Sequence, residues 1–351
     1  MKKFVMLLFV VTLLVACGGE SPLEEVPPGD DNNNQTMTIE DFYPFLANTY
    51  LTYEGIGMEF SERETYFDFI ENDRIQIRNH STGTTMVQIL EYNEGALKLY
   101  LSRGEAYNLL DYTNSDFVEE REILLMEPIE EGTSWELTDG RKREITGMNV
   151  AIETPSGNYE ALEVTTEGNE GTQTKTYYVE GVGMVQSVFE TGDEEVITTL
   201  ESIEKETNVT YKLRCYYPDF ENERVVYIDY DIPFNTNDKI EPTYTDHLQS
   251  SPNESIPSVF NENVTLQSFS FEPEEEIVVV DLSDNFVTEM NVGSGYESLI
   301  IQSIVDTVGF NFSVEKVVIT LDGTLYSSGH FQLEEGDFFQ VHYDNVVPYT
   351  E

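Results

Sequence analysis

The chain has 351 residues and carries 67 acidic against 18 basic side chains, a formal net charge of −49. A surface this negative repels phosphate backbones and anionic lipid headgroups, which excludes nucleic-acid binding and docking through a basic membrane face. The acidic residues are scattered among apolar ones rather than gathered in a tail, so they read as a solvated surface suited to high salt or high pH, with weak divalent-cation binding as the sharper alternative.

The chain opens on an export address. Lys2 and Lys3 precede the apolar run Phe4 to Val15, which is too short to stay behind as a membrane span, so residues 1–16 read as a secretory signal peptide. Leu14-Val15-Ala16-Cys17 has the form of a lipobox. Cys17 would then be the first mature residue and carry acyl chains, palmitate among them, holding the protein at the extracellular face of the cell membrane. Loss of Lys2 and Lys3 with the signal takes the net charge to −51. Cys215 is the only other cysteine, so no intramolecular disulfide forms. It lies in the aromatic run Thr210 to Tyr217 with no histidine nearby and reads as a buried structural thiol.

Residues 17–37 contain Pro22, Pro27, Pro28, five acidic residues and Asn32-Asn33-Asn34, with almost nothing to bury; they form a flexible acidic tether. Asn-x-Ser/Thr sequences at Asn79, Asn208, Asn253 and Asn263 are set aside, because the export signal is a bacterial one. Residues 38–206 form a β-rich domain of short runs punctuated by turn residues, among them Tyr66 to Ile70, Thr84 to Tyr92, Ala96 to Leu101, Ile123 to Met126, Lys175 to Val179, Met184 to Phe189 and Val196 to Ile203. Pro155-Ser-Gly-Asn158 predicts a hairpin turn, Gly181 and Gly183 a tight turn or bulge, and Trp135 a half-buried core aromatic. With no long helical period interrupting, an antiparallel β meander closing into a partial barrel is expected.

The grammar changes to α+β over residues 207–351. Strand-like Val209 to Tyr217 and Arg224 to Tyr230 lead into a Pro-rich middle from Pro233 to Pro257, then strands Val264 to Phe271 and Ile277 to Leu282. Ser294-Gly-Tyr-Glu297 predicts a capping box opening a helix to Val308, with Gly309 as its left-handed stop. Burial of that helix would make Ile304→Ala cost about 2–5 kcal/mol, and Gln302, on its polar face, would tolerate alanine within about 0.5 kcal/mol. A strand from Val314 to Leu321 and a closing hairpin from Phe331 to Tyr343 complete this part.

Two resemblances follow from these residues. Asp41-Phe-Tyr-Pro44, Asn48-Thr-Tyr-Leu-Thr-Tyr-Glu-Gly55 and Tyr178-Val-Glu-Gly-Val-Gly-Met-Val185 resemble a domain of lipoproteins from Gram-positive spore formers, which implies a β-rich extracytoplasmic module of no known chemistry. Ile277-Val-Val-Val-Asp-Leu-Ser283, Ile304-Val-Asp-Thr307 and Val314 to Asp322-Gly323 resemble the GerMN domain of sporulation and spore-germination lipoproteins over about Asn208 to Tyr349. The departures are Ser303 in place of alanine, Val308-Gly309 in place of Thr-Leu, and the stretch Pro242 to Pro257, which matches the family's first helix only through Leu248-Gln-Ser-Ser-Pro252. The resemblance implies a compact α+β fold, an assembly role through envelope proteins or self-association, and no established catalytic residues or cofactor.

Few residues offer chemistry of their own. Asp281, Ser283 and Asp284 invite a metal or acid–base reading, but at a strand end short polar side chains serve backbone amides. His330 and His342 flank Gly336 symmetrically; a hairpin there would let them share a zinc or nickel ion with Asp344. No phosphate loop, zincin helix or nucleophile elbow occurs. The leading reading is a membrane-anchored, non-catalytic lipoprotein acting by protein interaction; a ligand- or cation-binding surface lipoprotein is the alternative.

Overall fold

In the computed structural model the described residues are 37–58, 61–115, 122–192, 194–272 and 275–350. The expected signal peptide, Cys17 and nearly all of the tether lie outside them. After the short helix α1 (Ile39–Phe42), twelve antiparallel strands form one sheet: β1 (Thr49–Ile56), β2 (Arg63–Glu71), β3 (Arg74–His80), β4 (Thr85–Asn93), β5 (Ala96–Arg103), β6 (Glu122–Met126), β7 (Ser134–Glu136), β8 (Lys142–Thr154), β9 (Gly157–Glu167), β10 (Gln173–Val179), β11 (Gly183–Thr191) and β12 (Glu194–Lys205). Their order is β6-β5-β4-β3-β2-β1-β12-β11-β10-β9-β8-β7.

This is the expected meander curled into a partial barrel, and its two ends are joined by side chains instead of a hydrogen-bonded ladder. Trp135 of β7 donates its indole N–H to the Ile123 carbonyl of β6 at 3.1 Å; Arg143 of β8 donates to the same carbonyl at 2.5 Å and pairs with Glu122. The predicted turns form: Thr154 pairs with Gly157 across Pro155-Ser156, and Gly181 and Gly183 take φ of +72° and +97° between β10 and β11.

Alternation along the middle strands gives the sheet two buried faces. Leu51, Tyr53, Phe67 and Ile77 point into the barrel, whereas Tyr66, Val87 and Ile89 point outward into a second core. A bulge in β2 places Asp68 opposite no residue and turns Phe69 onto the outward face as well. The Asp68 carboxylate, fully buried there, is held by Arg78 at 2.7 Å and Gln76 at 3.1 Å.

That outward core is completed by the rest of the chain: the hairpin β13 (Val209–Asp219) and β14 (Arg224–Phe234), helix α2 (Ile240–Gln249), strands β15 (Leu266–Glu272) and β16 (Ile277–Leu282), helices α3 (Phe286–Met290) and α4 (Ser294–Phe312), then β17 (Lys316–Leu321), β18 (Thr324–Leu325), β19 (Phe339–Gln340) and β20 (Val346–Pro348). Strands β15, β16, β17, β18 and β19 form one sheet and β13, β14 and β20 another. The sheets thus part between 205 and 209, while the apolar core runs on from Tyr66 and Leu109 to Cys215, Tyr244, Ile304 and Ile319. Residues 37–351 form one compact unit.

Three expectations need correction here. The Pro-rich middle contains α2, because Pro242 falls in its first turn, where no amide hydrogen bond is lost. Helix α4 runs four residues past Val308 and stops at Ser313, which takes the left-handed conformation at φ +55°. Gly309 is mid-helix instead; a β-carbon there would lie 2.3 Å from the Val341 side chain, so the glycine permits close approach of the C-terminal arm. The closing hairpin does not form either, since β18 and β19 each pair with β17 and line up along one of its edges. No helix among the described residues is long and apolar enough to cross a membrane.

Candidate functional site

The residues singled out in the sequence become anchors of the α+β part. Asp281 is the penultimate residue of β16, and its Oδ1 accepts from the Thr320 hydroxyl at 2.6 Å and the Gly323 amide at 2.8 Å. Asp322 and Gly323, at φ +46° and +76°, make the two-residue turn joining β17 to β18. The two motifs are therefore one device, a carboxylate on one strand end locking the hairpin on its neighbour. Ser283 accepts from the Thr265 amide at 3.0 Å and donates to Asn285 at 2.6 Å. Both groups serve the backbone, as the strand-end reading expected.

The capping box does not form. Gly293 occupies the cap position and Ser294 is already helical, so Glu297 cannot reach back to a serine cap. Its carboxylate, 2% exposed, accepts from the Tyr326 hydroxyl at 2.7 Å, the Ser328 hydroxyl at 2.5 Å and His330 Nδ1 at 2.5 Å. Burial raises its pKa, but these bonds outweigh burial and hold it below the usual carboxylate range. His330 is thereby committed to Glu297. His342 lies along the arm, with its amide on Asp306, and the two histidines share no site. Among the described residues no group of three His, Cys, Asp or Glu is placed to hold a metal.

Several anchors went unmarked in the sequence. Thr307 accepts from the Tyr216 amide at 2.9 Å, and Asn311 accepts from the Arg214 amide at 3.0 Å and donates to the Arg214 carbonyl at 2.7 Å. One turn apart on α4, they satisfy the open edge of β13. Asp306, immediately before Thr307, accepts from Gln302 at 2.5 Å and the His342 amide at 3.1 Å through Oδ1, whereas buried Oδ2 has no partner. Burial pushes its pKa up to about 7. Cys215 is fully buried, and burial likewise raises its thiol.

A large opening lies where the outward face of the sheet meets β13, the end of α4 and the C-terminal arm, a cleft of about 1250 Å3. Tyr50, Tyr66, Tyr107, Tyr211, Phe310 and Tyr343 supply its aromatic walls. Glu64, Glu204 and Glu315 also line it. Of its basic residues, Arg78 is neutralised by Asp68 and Lys212 by Asp231 at 2.5 Å. Burial raises the hydroxyls of Tyr211 and Tyr343 to about 12, so these two stay protonated donors at neutral pH. Flat aromatic rings with polar tips beside carboxylates make the cleft an acidic, hydrogen-bonding aromatic surface.

Residues 214–327 match the Germane family model, described as sporulation and spore germination. A comparison with curated proteins found no match. Among solved structures, one likeness is to a protein described as exported, with a YmcC-like fold, from Bacteroides fragilis: 11% identity, 47% of this chain and 99% of that one, TM-score 0.30. Another is to the tandem GerMN domains of the sporulation protein GerM from Bacillus subtilis, at 19% identity and TM-score 0.29, covering 38% of this chain and 46% of that one. A third is to a protein described as a lipoprotein from Parabacteroides distasonis, at 13% identity and TM-score 0.26, covering 47% and 99%.

Proposed function

We propose that this is a lipid-anchored extracytoplasmic protein that acts without catalysis, by holding a partner protein of the cell envelope in the tyrosine-lined cleft, in the setting of sporulation or germination. The observation that carries this reading is the Germane match over 214–327, whose segment supplies α4 and one wall of the cleft. Support comes from the use of Asp281, Ser283 and Glu297 as structural anchors, which leaves them unavailable for acid–base work. The lipobox at Cys17 supplies the anchor, and the acidic lining of the cleft supplies the preference for a basic segment.

A photo-crosslinking residue at Tyr107, 41% exposed and lining the cleft, tests this against the same residue at Phe189, 39% exposed on β11. Crosslinks to one membrane-fraction protein from position 107 alone are expected, with the Cys17→Ala chain leaving the membrane fraction and losing them. Equal crosslinking from both positions would refute the cleft as the interaction surface, and membrane retention of Cys17→Ala would refute the anchor.

A further inference from the structure

The inside of the curled sheet holds a second cavity, of about 190 Å3, room for about six waters at the liquid's ~30 Å3 apiece. Alternation separates it from the cleft: Arg63, Thr65 and Phe67 of β2 point inward, Glu64 and Tyr66 outward. Its walls are apolar at Leu51, Phe67, Ile77, Leu90 and Val164. Two arginines line it, and they differ. Arg143 is saturated by Thr166, the Ile123 carbonyl and Glu122. Arg63 has Met184 Sδ at 3.4 Å, the Tyr53 ring 4.9 Å from the guanidinium and the Tyr53 hydroxyl beside it, while its Nε is sealed from solvent with no acceptor.

Among the described arginines, the lack of a carboxylate partner is shared only by Arg103, which lies over the Phe271 ring. Arg74, Arg78, Arg141, Arg143, Arg214 and Arg224 each pair with a carboxylate. With 67 acidic residues to choose from, no carboxylate among the described residues pairs with Arg63. Leaving a guanidinium donor buried and unpaired disfavours the folded state unless something else completes it. The other polar groups of the cavity answer one another: Thr65 donates to Asn79 at 2.6 Å and Asn79 to Gln88 at 3.0 Å. Around the guanidinium stand Tyr43, Tyr53 and Tyr178, whose hydroxyls burial keeps protonated.

We infer that this cavity binds a small monocarboxylate with an apolar body, its carboxylate on Arg63 and its body among Leu51, Phe67 and Leu90. The planar fork of a guanidinium suits a carboxylate, the volume, that of about six packed waters, limits the occupant to a small body, and the apolar walls disfavour a fully hydrated anion such as phosphate. The inference stands apart from the cleft reading, since the two openings lie on opposite faces of β2.

The test uses the full chain and benzoate, hexanoate and acetate, titrated by calorimetry near 0.15 M salt, where the negative surface is screened beyond about 8 Å. Saturable binding of benzoate or hexanoate at one site is expected, with acetate and uncharged benzamide each at least tenfold weaker. Arg63→Met should abolish binding and leave the ligand-free melting temperature unchanged or raised, because it removes an unpaired charge; a purely structural arginine would lower it. Absence of saturable binding by all three acids below about 10 mM would overturn the inference, as would benzamide binding as tightly as benzoate.

Discussion

The two halves of α4 hold the C-terminal arm in opposite electrostatic states. At the first turn, buried Glu297 has three donors from residues 326–330 and its pKa is lowered against the pull of burial. About two and a half turns on, buried Asp306 has two donors on one oxygen and none on the other, and burial prevails, taking it to about 7. The chemistry is the same carboxylate on the same helix; partner number decides the sign. A group lowered in the folded state contributes stability that is present above the unfolded value of 4.5 and lost as pH falls. A group raised in the folded state contributes stability that is complete below the unfolded value of 3.8 and lost as pH rises to about 7. The arm is therefore held best at mildly acidic pH.

Removing the fully partnered carboxylate should have the largest effect. Glu297→Ala leaves the Tyr326 and Ser328 hydroxyls and His330 without their acceptor and should cost about 3–5 kcal/mol in denaturant titration at pH 7. Glu297→Gln should recover part of this, because one acceptor oxygen remains, and should flatten the loss of stability below pH 4.5. A cost under about 1 kcal/mol for the alanine variant would mean that the loop 326–330 is held by something else.

The half-partnered carboxylate should behave in the opposite way. Asp306→Asn keeps an oxygen for the Gln302 and His342 donors and removes the charge, so it should stabilise the protein at pH 8 by roughly 2–4 kcal/mol and have little effect below pH 4. Wild-type stability should fall between pH 4 and 7, and the variant's should not. Parallel pH profiles for the two would exclude Asp306 as the titrating group.

This contrast also marks what could be read from the sequence. The barrel strands, the 155–156 turn, buried Trp135 and the Asp281 and Gly323 motifs were legible because they rest on local pattern and turn chemistry. Glu297 was legible as important but not in its role, since a capping box and a tertiary clamp share the same residues and only the arm's return distinguishes them. The shared core was missed at Tyr66-Phe-Asp-Phe69, a nearly unbroken apolar run of the kind a strand buried on both faces produces. Asp306 and Arg63 had no signal, because an unpaired buried charge is defined by what does not approach it.

The smallest effect is the most discriminating. Gln302 reads from helical spacing as a tolerant polar-face residue, yet it provides one of only two bonds to Asp306. Gln302→Ala should therefore cost about 1.5 kcal/mol at pH 8, where the bond goes to an ionised carboxylate, and about 0.5–1 kcal/mol at pH 5, where the acid is neutral. In an Asp306→Asn background that pH dependence should vanish, giving a coupling between the two positions that exists only above the acid's titration. A cost equal at both pH values would show that Gln302 acts through its 3.4 Å contact with the His342 carbonyl, and that the partner-number account of Asp306 is wrong.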